Sequence, residues 1–293
     1  MTRTPVSRSK SQPAGGPDPT AVRTALWRAL HLELDLPPHI FEDRLGLQLV
    51  EPGGSWRQRP DMHPTRTARA RASIVARARF VEDLVEEEAR RGVDQYVLLG
   101  AGLDTCAQRR PDLADRVRFF EVDPPASQDW KRHRLEALGH GHPTRPCFIP
   151  FDFESDQTWV QAAALQGFAP DRPSVVAALG VCMYLTREAI RRTLDQVAAL
   201  AQGTVLVMTF HPPLEQLEPQ ERGSQEATMR YAAAAGTPFL SLLAPKEVLD
   251  LARGAGFRDL AHVSSAQLAT RYFQSRTDGL RPSSAEEILV ARV

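Results

Sequence analysis

The chain has 293 residues, 36 Lys+Arg balanced by 36 Asp+Glu, and is 42% hydrophobic and 25% charged. That length closes a substantial core, and the zero formal net charge argues against a general nucleic-acid or anionic-membrane binder, which carries a basic excess. No apolar run approaches the roughly 18 residues needed to span a bilayer, the first twenty residues lack a signal-peptide apolar core, and Cys106, Cys147 and Cys182 form no disulfide or zinc pattern. The expectation is a cytoplasmic enzyme with a small-molecule substrate and no resident metal.

Residues 1–19, rich in Pro, Gly, Ser and basic side chains, predict a disordered tail, because they bury too little apolar surface to offset ordering. From Thr20, Val22, Ala25, Leu26, Ala29 and Leu30 recur at helical spacing. A loop with Pro37 and Pro38 follows, then a short helical stretch near 42–49 and a Pro/Gly-rich loop over 52–64. A long helix is predicted from about Thr67 to Arg91, stopped by Gly92. Residues 20–92 thus form a helical lid and lead-in to a core spanning 93–293.

Beyond Gly92 the texture alternates. QYVLLG (95–100), VRFFEVD (117–123), RPCFIPFDF (145–153), SVVAALG (174–180) and TVLVMTFH (204–211) read as strands with helical segments between them. Short links of this kind indicate parallel βαβ units with right-handed crossovers. A polar insertion, 212–244, breaks the rhythm before a helix, a strand ending near Val263, another helix and a last strand, EEILVARV. The fold class is therefore α/β, a doubly wound, Rossmann-like, mostly parallel sheet of seven strands. Ligands of such sheets bind beyond the carboxyl ends of the strands, at the switch point.

The residues just past each strand are the candidates. Gly100-Ala101-Gly102 follows the first strand; its glycines permit either an ordinary strand-to-helix turn or close approach of a ligand to the backbone. Thr105 stands where a dinucleotide fingerprint has its third glycine, which disfavours a bound pyrophosphate. Asp123 ends the second strand about twenty residues later, where a carboxylate accepts hydrogen bonds from ribose hydroxyls; Glu121, on the same face, is the fallback. Asp152-Phe153 past the third strand suit an adenine edge and face, or are an ordinary loop acid and core aromatic. His211 ends the fifth strand at the crevice, as a general base or a surface histidine, and Tyr184 lies just past the fourth. His262 reads as packed in its strand, and His140 and His142 complete no metal site. Cys106 sits where a helix N-terminus would lower a thiol pKa.

Together these segments resemble the leucine carboxyl methyltransferase family of class I S-adenosylmethionine-dependent methyltransferases, in its bacterial, secondary-metabolism branch. The resemblance rests on TALWRA, VARARFVED (75–83), VLLGAGLDT (97–105), FEVDPP (120–125), PFDFE (150–154), LGVCMYLT (179–186) and GTPFLSLLAPKEVLDLARGAGF. It implies that the cofactor is S-adenosylmethionine. By it, Gly100, Ala101 and Gly102 line the methionine part, Asp123 holds the ribose and Asp152 and Phe153 hold the adenine. Arg77 pairs with the cofactor's carboxylate, as a guanidinium does well. One departure stands out: Leu179 replaces a glutamate that many relatives use for the cofactor's amino end, leaving its backbone carbonyl for that role. Cys106 and Gln108 replace Arg and Tyr of many relatives.

The expected activity is methyl transfer to a carboxylate, ionised already, or to a hydroxyl that gains from His211 as base. The acceptor lies beneath residues 20–64 and 212–244. Two other readings remain at this point: a catalytically silent cofactor-binding protein, suggested by Leu179, and a nicotinamide-dependent dehydrogenase, suggested by the glycine turn and acidic strand end.

Overall fold

The computed structural model describes residues 16–142, 145–153 and 157–293. In chain order its helices are α1 (Pro19–Leu34), α2 (Leu45–Val50), α3 (Ala68–Arg90), α4 (Cys106–Arg109), α5 (Pro111–Ala114) and α6 (Pro125–Ala137), then α7 (Trp159–Ala164), α8 (Arg187–Ala198), α9 (Pro219–Ala234), α10 (Pro245–Ala255) and α11 (Ser265–Phe273). Strands β1 (Gln95–Leu99), β2 (Arg118–Asp123), β3 (Cys147–Pro150), β4 (Val175–Ala178), β5 (Val205–Phe210), β6 (Asp259–Val263) and β7 (Glu287–Arg292) join in one sheet of order β3-β2-β1-β4-β5-β7-β6. β1 to β5 run parallel, while β7 pairs antiparallel with both β5 and β6. This is the α/β sheet of seven mostly parallel strands that the sequence pattern predicts.

Alternation along the strands builds two cores. Val97, Leu99, Phe120, Val122, Val176, Leu206 and Met208 point to one face, where they meet Trp159, Ile190, Leu194 and Val248 of α7, α8 and α10. Tyr96, Leu98, Phe119, Val175 and Val207 point to the other, against Val75, Phe80 and Val85 of α3 and Leu268 and Phe273 of α11. Burial on both faces explains why the central strands are continuous apolar runs rather than alternating ones.

Strand order reverses between β1 and β4: β2 and β3 lie to one side, β5 to the other. A crevice opens there because the loops after β1 and β4 diverge to opposite faces. The N-terminal segment roofs it. Asp18 caps α1 by accepting from Thr20 N at 2.7 Å, so residues 16–19 belong to this ordered entry rather than to the predicted tail; residues 1–15 lie outside the described ones. Arg28 bonds Asp43 Oδ2 and the carbonyl of Leu103, each at 2.7 Å. Burial opposes ionisation of Asp43, yet Arg28 and Arg109 hold its carboxyl below the usual range. His31 Nδ1 meets Asp35 at 2.8 Å while its Nε2 accepts from Ile40 N at 3.0 Å, and Arg71 grips both Asp35 oxygens. α1 is thus fastened to α3 and to the turn after β1.

Candidate functional site

A cavity of about 400 Å³ occupies the crevice, within the ordinary range for a small-molecule site. Gly100, Ala101, Gly102, Asp123, Leu179 and Gly180 line one end, Met183, Tyr184, His211, Gln225, Thr228 and Phe239 the other, and Arg77 and Glu286 are also in its wall. Of the sequence candidates, Arg77, Gly100, Ala101, Gly102, Asp123, Leu179, Tyr184 and His211 are brought together here. Asp152 and Phe153 are not among the lining residues. Asp152 is exposed, and Phe153 turns edge-on to Phe151, with ring centroids 5.2 Å apart. They stand just beyond β3, next to the strand that carries Asp123: Phe151 N donates to the carbonyl of Asp123 at 3.0 Å.

The glycines are required by geometry. Gly100 has φ of +69°, and a Cβ there would lie 2.5 Å from Val181 Cγ2. Gly180 has φ of +70°, and its Cβ would lie 2.8 Å from the Arg77 guanidinium. Side chains at these two turns would fill the crevice and strain the backbone. Asp123 is buried, and its carboxylate accepts the backbone N–H of Gly102. Burial pushes its pKa up to about 6, against the lowering effect of that N–H and of Lys131. An acid left so poorly solvated gains from hydroxyl donors supplied by a ligand. Glu121, the fallback, is excluded from this role: it is fully buried in an ion pair with Lys131 of α6, away from the cavity. A glycine cradle, a buried acceptor and a cation near the strand ends fit a nucleoside bearing an amino-acid tail.

Three residues went unnoticed in the sequence. Glu286, just before β7, is buried and ion-paired with Arg77; the pair of acids in EEILVARV marks it only weakly. Gln225, on α9, places its amide Nε2 3.2 Å from His211 Nδ1. Arg23 of α1 lines the cavity over the Trp27 ring at 5.5 Å, and its buried Nε has no hydrogen-bond partner among the described residues.

The far end of the cavity is aromatic. Phe239 lies edge-on to both Tyr184, at 5.5 Å, and His211, at 5.2 Å. Burial raises the pKa of Tyr184 and lowers that of His211, so both rings are neutral at pH 7. α9 carries an inward stripe at helical spacing, Glu221, Gln225, Thr228 and Ala232. Glu221 fastens it by pairing with Arg69 of α3 and accepting from Ser284 N at 2.7 Å.

Cys106 is a packed cysteine rather than a reactive one. Burial, with Glu82 and Asp104 nearby, pushes this thiol well up, and α4 is only four residues long. Burial likewise pushes Cys182 up to about 12. His262 pairs with Glu287 at 2.6 Å within the sheet. Among the described residues no group of three His, Cys, Asp or Glu side chains could hold a metal ion, and no helix is long and apolar enough to cross a membrane.

Comparison with known proteins agrees with this geometry. The profile described as leucine carboxyl methyltransferase matches residues 21–198. The chain is 29% identical over 207 residues to a Bacillus subtilis protein named "Putative S-adenosyl-L-methionine-dependent methyltransferase YktD", covering 70% of this chain and 67% of that one. It is 31% identical over 225 residues to the similarly named SCO7813 of Streptomyces coelicolor, covering 74% and 72%. Its fold resembles the crystal structure of a "duf574 family protein" from Streptomyces avermitilis, with a TM-score of 0.59, 15% identity and coverage of 94% and 97%. A Thermobifida fusca structure gives the same TM-score at 18% identity. The sheet, the residues around its switch point and the matched profile agree: the chain belongs to the leucine carboxyl methyltransferase family.

Proposed function

We propose that this S-adenosylmethionine-dependent methyltransferase acts on oxygen, methylating a carboxylate or hydroxyl of a small metabolite. The observation that carries the reading is the single cavity joining the glycine turns and Asp123 to the pocket of Tyr184, His211 and Phe239. When bound, S-adenosylmethionine supplies an electrophilic methyl on a sulfonium. The chain's own task is then mostly placement, which can contribute on the order of 7–11 kcal/mol.

In this reading Asp123 accepts from the ribose hydroxyls, and Asp152 with Phe153 borders the adenine. Arg77 meets the cofactor's carboxylate. Leu179 offers no carboxylate for the amino end, and Glu286 supports that role instead, because it brings a buried acid beside Arg77. An ion pair already assembled in the wall is the natural counterpart of a zwitterionic tail. Tyr184 contacts the methyl or the acceptor. A carboxylate acceptor loses no proton on methylation; a hydroxyl acceptor would call on His211 as base, worth about 10²–10⁴ in rate. The cationic Arg23 in the cavity wall favours an acceptor or cofactor group with negative charge there. The nicotinamide reading has no support in the family the chain belongs to.

The test is calorimetric titration with S-adenosylmethionine and S-adenosylhomocysteine, followed by incubation with methyl-labelled cofactor and a panel of small carboxylic acids and phenols. Micromolar binding and a labelled product are expected. A base-labile label marks an ester and a base-stable one an ether. Transfer to nitrogen or carbon alone would overturn oxygen as the target, and binding without any transfer would favour a silent cofactor-binding protein.

A further inference from the structure

His211 follows β5, and its ring forms part of the cavity wall. Its two nitrogens have different surroundings. Nδ1 faces the amide Nε2 of Gln225 at 3.2 Å, whereas Nε2 is buried with no hydrogen-bond partner among the described residues. A neutral imidazole holds one proton, and the nitrogen that accepts an amide N–H is the one without it. The proton therefore resides on Nε2, an atom closed off from the cavity, while Nδ1 is taken up by the Gln225 amide. Burial keeps the ring neutral, helped by Arg77 and opposed by Glu286 and the carbonyl of Ala285.

We propose that Gln225 is a positioning residue that fixes the Nε2–H tautomer of His211, so that His211 has no free lone pair to serve as a base and the methyl acceptor is one already ionised, a carboxylate. This rests on the reading that the His211 end of the cavity takes the acceptor. Methyl transfer to the carboxylate then forms an oxygen–carbon bond with an oxygen lone pair, the carbon–sulfur pair returns to sulfur, and no proton is released for His211 to take. Gln225 can do this because α9 is held in register one turn earlier: Glu221 pairs with Arg69 and accepts from Ser284, which lies two residues before Glu286. The tautomer of His211 is thus set by the same latch that seats the cap on the sheet.

The experiment is two-bond proton–nitrogen correlation NMR on the full chain labelled with ¹⁵N-histidine, free and saturated with S-adenosylhomocysteine. The His211 signals are assigned by their loss in His211→Asn. The native protein should show one neutral form, with Nε2 protonated and Nδ1 bare. Gln225→Leu should relax it toward the tautomer mixture of a free imidazole. Gln225→Glu should move the proton to Nδ1 or leave the ring doubly protonated, since a carboxylate accepts where the amide donated. A native Nδ1–H form would overturn the tautomer assignment, and an unchanged Nε2–H form in both variants would overturn the role of Gln225. Calorimetry of S-adenosylhomocysteine on the same samples separates this from the function itself. Loss of binding in the native protein would sink the methyltransferase site, while the tautomer would still decide the pairing.

Discussion

The two ends of the cavity are built in different ways. The end proposed for the cofactor is made at the ends of parallel strands: Gly100 to Gly102 after β1, Asp123 closing β2 and Leu179-Gly180 after β4, all within the residues matched by the family profile. Backbone direction, positive φ and one buried carboxylate do the work there, and few side chains are free to vary without filling the crevice. The end proposed for the acceptor is assembled from segments far apart in the chain, namely α1, the turn holding Tyr184, β5's end, α9 and the loop holding Phe239. Much of it, including His211, Gln225 and Phe239, falls outside the matched range. On the proposed reading, the cofactor is served by strand ends and the acceptor by contacts between elements that can change independently.

If that division holds, the largest effect comes from the one carboxylate at the cofactor end. Asp123→Ala removes two charge-assisted hydrogen bonds to the ribose, each worth about 1.5–3 kcal/mol. The affinity for S-adenosylhomocysteine should fall about 100-fold or more by calorimetry. An unchanged dissociation constant would mean that the nucleoside does not lie where the strands point.

Arg77→Met should weaken S-adenosylhomocysteine by roughly 10- to 50-fold, the worth of a charge-assisted pair. It should leave 5′-methylthioadenosine, which lacks the amino-acid tail, within about twofold. The substitution also strands Glu286 without its buried partner, which is costly. The melting temperature should therefore drop in Arg77→Met and recover in the double variant with Glu286→Gln. Equal losses for both ligands would break the assignment of this ion pair to the tail.

Acid provides a milder probe of the same end. Asp123, held at about 6 by burial, must be ionised to accept from both hydroxyls. The protonated form gains population as pH falls through 6, so affinity is full above that value and lost below it. S-adenosylhomocysteine should bind about tenfold more weakly at pH 5 than at pH 7, one pH unit below the pKa being worth one decade. In Asp123→Asn this slope should vanish. A slope that persists would point to another group.

How much of this was visible in the sequence follows the same division. Apolar runs such as QYVLLG announced strands buried on both faces, and glycine and acid at their ends announced the turns that line the cavity, because local backbone demands leave local residues. Glu121 and Asp123 share a strand face, so periodicity alone could not say which meets the cavity; Lys131 of α6 decides it by claiming Glu121. Glu286 and Gln225 were illegible for another reason. Each lies in a polar stretch whose pattern is satisfied equally by solvent, and only the packing of α9 and β7 against α3 turns them inward. Asp18 read as part of a tail because capping one helix needs a single acid and no apolar signal.

The smallest expected effect tests the division from the other side. His211→Asn and Phe239→Leu change the acceptor end, where Phe239 packs edge-on to His211, and neither touches Asp123 or the glycine turns. S-adenosylhomocysteine carries no transferable methyl and reaches no further than the sulfur, so both variants should bind it within about twofold of the native protein. Transfer to any acceptor found should nevertheless fall, since the groups that orient it are gone. A loss of S-adenosylhomocysteine affinity in either variant would place the nucleoside's tail among the aromatic rings. The cavity would then be one cofactor site from end to end, and the acceptor would have to enter from elsewhere.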